Sequence, residues 1–310
     1  MKKTTAAGTV MLLVCAVIWG TAFVAQSEAM DSMGPLTFQA MRSYLGGLVL
    51  LPLIALMDAA KKKIGIKKER SREEKKKTLR VGVICGVILC VASLFQQYGI
   101  ALGTSGGNAG FITALYILLV PVAGMIFFRK KVHPLLWACI AAALLGLWFI
   151  CIKSRAEISF RLSDILVLIC AFVFTAHIVT VDRLAGGLDG VRVSCIQFFT
   201  SALIATAGMF IFESPDISQL LDGWFPIVYA GVMSSGVAYT LQILGQQNCE
   251  PTLASLLMSL ESVFAVLGTV AVSIIAGHPE YPTARELTGC IIMFAAIVAA
   301  QLLPEKEEKA

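Results

Sequence analysis

Two charged residues, Glu261 and Arg42, lie inside long apolar runs, where a charge is costly enough to require a reason. Glu261 is about eleven residues into the run 250–272, or about 16 Å deep at the helical rise of about 1.5 Å per residue. A carboxylate there costs at least about 2.5–3.5 kcal/mol if it faces lipid. It must therefore face a polar cavity, pair with a base or hold a proton. The functional reading is a site for a substrate ammonium group or a proton; the structural one is a hydrogen bond between helices. Arg42 is about seven residues into the run 35–57, about 10 Å below the outer surface. It can snorkel to the headgroups. Alternatively it faces the cavity and either pairs with Glu261 or holds a substrate carboxylate in its fork of donors. Arg and Glu at neighbouring depths would suit a zwitterionic amino acid.

Other candidates are uncharged. Gln96 and Gln242 occupy matching places in the two halves of the chain, as do Arg42 and Gln197. Polar groups in apolar helices either bond to a neighbouring helix or line water. Trp19, Phe23, Tyr98, Tyr116 and Tyr239 could line an apolar pocket or simply pack. His177 reads as a packed or hydrogen-bonded residue. The nine cysteines include no C-x-x-C and no histidine at ligand spacing, so they form neither a metal site nor a disulfide framework. No cofactor is expected. There is no P-loop, G-x-S-x-G or H-E-x-x-H, so neither direct ATP coupling nor the usual hydrolase chemistry is indicated.

Ten apolar runs must position these residues: 7–27, 35–57, 79–102, 106–128, 135–153, 164–181, 191–212, 224–246, 250–272 and 285–303. Each approaches the roughly 20 residues that cross a bilayer as a helix. The chain is 57% hydrophobic and only 15% charged, with a mean hydropathy of +0.82. An all-α, multi-pass membrane protein is predicted. With the first run crossing from the cytoplasm outward, twenty Lys and Arg fall on the inner side and four (Lys153, Arg155, Arg161, Arg285) on the outer. The positive-inside rule then puts both termini in the cytoplasm of a cell (inner) membrane. Met1-Lys2-Lys3 and Ser27-Glu28-Ala29 resemble a secretory signal, but the repeat argues for keeping the first run as a helix. Residues 58–80 hold eleven basic and four acidic residues. This reads as a cytoplasmic loop anchored on anionic lipid, without the basic fold or aromatic platform that nucleic-acid binding needs.

The two halves repeat one another. Ala92, Gln96 and Gly99 recur as Ala238, Gln242 and Gly245; Leu13, Cys15 and Ala16 as Leu168, Cys170 and Ala171; Leu136, Cys139 and Ile140 as Leu287, Cys290 and Ile291. The order is kept, so a duplication of five helices is predicted, over 7–153 and 164–303 with 58–80 inside the first. Five is odd, so the halves enter the membrane from opposite sides. Inverted repeats enclose a shared site near the midplane and let a carrier open it to each side in turn.

Trp19-Gly20-Thr21-Ala22-Phe23, Arg42 after Pro35, the glycine-rich turn from Gly103 to Gly110 and the five-plus-five plan resemble the drug/metabolite transporter superfamily in its EamA-type branch. The resemblance covers about 9–303. It implies a ten-helix bundle exporting small organic metabolites, often amino acids or related compounds. It also implies a proline in the middle of the fourth and ninth helices. Pro121 is present, but the matching region of the ninth reads Leu260-Glu261-Ser262, which leaves a kink there open. The chain is therefore read as a secondary carrier, not an enzyme, whose partners are the bilayer and a small solute. An intramembrane enzyme or lipid-handling protein is the alternative. Substrate identity, direction, energy coupling and oligomeric state are not legible.

Overall fold

A computed structural model describes residues 4–63, 70–129, 132–152, 161–275 and 281–303. Of the charged positions used above, Lys2, Lys3, Lys67, Lys68, Glu69, Lys130, Lys131, Lys153, Arg155, Lys306 and Lys309 lie outside them. Among the described residues ten helices are long and apolar enough to cross a membrane. The first repeat contains α1 (Ala6–Ser32), α2 (Pro35–Lys63), α3 (Arg72–Ala101), α4 (Gly106–Thr113), α5 (Tyr116–Phe128) and α6 (Pro134–Cys151). The second contains α7 (Leu162–Leu184), α8 (Gly190–Phe212), the short α9 (Ile217–Asp222) and α10 (Trp224–Val228), a π-helical segment (Tyr229–Tyr239), α11 (Thr240–Gln247), α12 (Pro251–Met258), α13 (Glu261–Ile275) and α14 (Ala284–Gln301).

Much of the basic segment is helical. Asp58 to Lys63 finish α2, and Arg72 to Arg80 begin α3, which at 30 residues is about 45 Å long and overhangs a hydrocarbon core of about 30 Å. Ser71 caps α3 by accepting from the Glu74 amide at 3.1 Å. The cap of α2 comes from the other repeat: the Glu213 carboxylate accepts from the Leu36 and Thr37 amides, each at 2.8 Å.

Twin helices pack side by side. α2 lies along α8, and α6 along α14, so the pseudo-two-fold axis runs between the members of each pair. Glycines permit the approach. A Cβ on Gly146 would sit 2.7 Å from the Gly289 carbonyl oxygen, and one on Gly289 2.5 Å from that of Gly146. α1 packs on α13, with the Gly20 position 2.5 Å from the Glu261 carbonyl oxygen on the same measure.

Two spans are broken, at equivalent places. α4 stops at Thr113 and α5 starts at Tyr116; α12 stops at Met258 and α13 starts at Glu261, an offset of 145 throughout. The amides of Leu115 and Ile117 donate three residues back, to Ile112 and Ala114. Those of Leu260 and Ser262 do the same to Leu257 and Ser259. The ninth span is thus interrupted without a proline, and Pro121 lies inside α5, beyond the break in the fourth. Because the irregularity recurs where the sequences differ, packing between repeats accounts for it better than local propensity.

Candidate functional site

Where the broken helices meet, fourteen residues enclose a narrow cavity: Trp19, Phe23 and Gln26 of α1, Arg42 of α2, Gln96 of α3, Thr113 of α4, Tyr116 of α5, Phe174 and Ile178 of α7, Ser234 and Tyr239 of the π segment, Gln242 of α11, Met258 of α12 and Glu261 of α13. Ten of them are five pairs of twins. Phe174 and Ile178 follow Trp19 and Phe23 by 155 residues, Gln242 follows Gln96 by 146, and Met258 and Glu261 follow Thr113 and Tyr116 by 145. The site is therefore built by both repeats with the same positions of each.

Seven of the nine candidate residues come together here: Trp19, Arg42, Gln96, Tyr116, Tyr239, Gln242 and Glu261. Tyr98 and Gln197 do not join them. Tyr98 is half-buried against the cluster of Leu36, Ala40, Cys90, Ala205 and Met209. Gln197 is fully buried and its Oε1 lies 3.1 Å from His177 Nε2. Of the lining residues, sequence reading passed over Gln26, Thr113, Phe174, Ile178, Ser234 and Met258. Adding the repeat offset to Trp19 and Phe23 finds Phe174 and Ile178; Gln26, Thr113 and Met258 are uncharged positions that no such step reaches. Ser234 carried no such signal. It shares the cavity with Tyr239, five residues on. Five α-helical residues turn about 500°, which leaves their side chains about 140° apart, whereas i→i+5 bonding in the π segment brings them to one side.

Arg42 does not snorkel; it is 3% exposed. Its Nη1 donates to Gln26 Oε1 at 3.3 Å, and the same oxygen accepts from Gln97 Nε2. The guanidinium also lies over the Phe38 ring, 5.6 Å from its centroid. Glu261 is 4% exposed, and the Tyr116 hydroxyl donates to its Oε1 at 3.4 Å. Arg42 and Glu261 do not pair. The ion pairs found among the described residues join Arg70, Arg183 and Arg192 to Asp58, Asp182 and Asp189. A guanidinium from the first repeat and a carboxyl group from the second thus share one cavity, separately held. Three further polar atoms lining it, Trp19 Nε1, Arg42 Nε and Gln242 Oε1, are buried without a protein partner. Gln96 Nε2 is satisfied by Thr113 Oγ1 at 3.0 Å. Tyr239 meets the Arg42 guanidinium through its hydroxyl, and its ring packs 4.7 Å from Trp19, 5.8 Å from Phe198 and 6.3 Å from His177.

The cavity volume is about 40 Å³, against about 10–15 Å³ for one water on the same measure. The same close helix contact recurs in both repeats. Gly99 of α3 packs on α7 with its Cβ position 2.9 Å from the Ser163 carbonyl oxygen; its twin Gly245 packs on α1, 3.2 Å from that of Gly8.

The sequence matches the EamA-like transporter family twice, over residues 6–152 and 161–300. The chain belongs to that family. The two matches fall on the two five-helix halves, and with ten apolar helices they make this EamA-like chain a multi-pass membrane protein of the transporter class. An uncharacterized transporter of Archaeoglobus fulgidus is 25% identical over 291 residues, covering 94% of this chain and 84% of the relative. The uncharacterized transporter YoaV of Bacillus subtilis is 22% identical over 253 residues, covering 80% and 82%. A solved protein structure shares the fold with a TM-score of 0.71 at 18% identity, over 96% of this chain and 98% of that one.

Proposed function

We propose that the protein is a secondary carrier that exports a small zwitterionic solute, an amino acid or a related amine, by alternating access between its repeats. The observation behind this reading is a guanidinium and a carboxyl group that line one cavity without pairing with each other. Arg42 presents donors to a carboxylate and Glu261 presents an acceptor to an ammonium group, and Gln96, Gln242 and Trp19 line the same cavity. A charge buried without a partner is unfavourable, and a ligand bearing both opposite charges relieves both at once. The cavity admits only about three waters, so loading requires the helices around it to move apart. Residues 7–153 and 164–303 are taken as the moving units, and the excess of inner-side Lys and Arg orients both termini to the cytoplasm of the cell membrane.

The reading is tested by reconstituting the purified protein in liposomes and screening labelled amino acids and amines for uptake. Uptake of an amino acid is expected, with loss in both Arg42→Ala and Glu261→Gln at full expression. Normal transport by both variants disproves it.

A further inference from the structure

Tyr116 and Glu261 are twins, one from each repeat, and they touch. Twin residues can meet only where the pseudo-two-fold axis passes between them. A group on that axis keeps the same relation to both halves when the halves exchange conformations. The Glu261 carboxyl is thus placed where each face of the membrane can reach it in turn.

No cation opposes that carboxyl within 4.0 Å among the described residues. The titratable groups around it are Cys15 on α1, Tyr116 on α5, Cys151 on α6, Cys170 on α7 and Tyr239 on the π segment. None of these is a base. On α14, Cys290 and Glu286 act on Cys151, one residue removed. Arg42, on α2, is held by Gln26 on the cavity wall. An ionised carboxylate buried with no counter-ion is strongly disfavoured, so this group is satisfied either by a proton or by a cationic ligand, one at a time.

We propose that Glu261 exchanges one proton for the ammonium group of the solute, making the carrier a proton antiporter. This rests on the amine-binding role given to Glu261 above. With the cavity facing the cytoplasm, the ammonium group takes the place of the carboxyl proton, which leaves to cytoplasmic water. With the cavity facing outward, a proton from outside replaces the departing ammonium. A zwitterion moves out without net charge and one positive charge moves in, so a negative-inside potential speeds export as well as a pH gradient does.

The experiment measures, on the full-length protein in weakly buffered detergent with a pH indicator, both binding and proton release for each labelled amino acid and for its decarboxylated amine. The expected result is about one proton released per molecule bound. Glu261→Gln should release none, and Glu261→Asp should keep the release. The twin exchange Tyr116→Glu with Glu261→Tyr should restore it, because the carboxyl returns to the axis from the other repeat. Binding by the wild-type protein without release overturns the antiport and leaves the zwitterion reading standing. Binding and release with decarboxylated amines alone supports the exchange and sinks the zwitterion reading. If nothing in the panel binds, both fall. The wild-type ratio decides even where a variant fails to fold.

Discussion

The two repeats share a scaffold and differ in their chemistry. Both contribute a broken helix, a glutamine and an aromatic or apolar pair to the cavity at equivalent positions, yet only the first supplies a guanidinium. The twin of Arg42 is Gln197, which turns to His177 instead of the cavity. The twins of Gln26 and Gln97, which steady Arg42, are Val181 and Ile243, and both belong to a fully apolar cluster with Val81, Cys85, Ala185, Leu188 and Val193. The glutamine pair that steadies Arg42 is answered by hydrophobic packing on the other side of the axis. Across the axis itself, a carboxylate faces a phenol. Helix packing tolerates little change because backbones approach closely at glycines, whereas cavity walls are free to diverge. Divergence of this kind lets a symmetric carrier hold a polar ligand in a single orientation.

Making the halves alike should break the site. Arg42→Gln, which copies the residue of the second repeat, is expected to reduce amino-acid transport by about 100-fold, the loss of a charged bidentate contact of about 2–3 kcal/mol. Radiolabelled uptake into liposomes measures it, and activity within about threefold of wild type would contradict the role of Arg42. Next comes packing at the axis. Gly20→Ala places a methyl group 2.5 Å from the Glu261 carbonyl oxygen and 2.7 Å from the Ala265 amide nitrogen, and should cost about 1–3 kcal/mol. Its melting temperature in detergent should fall clearly below that of the parent. Gln97→Leu imports the apolar character of its twin next to Gln26 and should lower transport about tenfold, one hydrogen bond to a charged network being worth about 1.5 kcal/mol. Here the apparent affinity should weaken while the melting temperature holds. A smaller change, about threefold, is expected for Tyr116→Phe, whose 3.4 Å contact to Glu261 is long. Tyr98→Phe, outside the cavity, should leave uptake unchanged; a large effect would show that the pathway extends to the α2–α8 face.

Much of the fold could be read directly. Runs of apolar residues gave the ten crossings, since length and hydropathy are local properties. The recurrence of Ala92, Gln96 and Gly99 as Ala238, Gln242 and Gly245 gave the duplication. Glu261 and Arg42 stood out because charge is rare at their depth. Tyr98 shows the limit: one position separates it from Gln97, but the helix turns it by about 100°, toward packing rather than the site.

What the amino-acid order determined alone was the set of helices, their duplication, the inverted sense of the halves and the presence of two ionisable residues inside membrane-spanning runs. Each follows from composition, spacing or parity, and needs no knowledge of neighbours. Tertiary structure alone decided which way the Arg42 side chain turns, that it meets Gln26 and not Glu261, and that the ninth span breaks without a proline. It also decided that the π-helical stretch brings Ser234 round to Tyr239, and that Tyr116 touches its own twin. Those outcomes depend on rotation about helix axes and on close backbone approach between segments more than a hundred residues apart, and no local pattern encodes either.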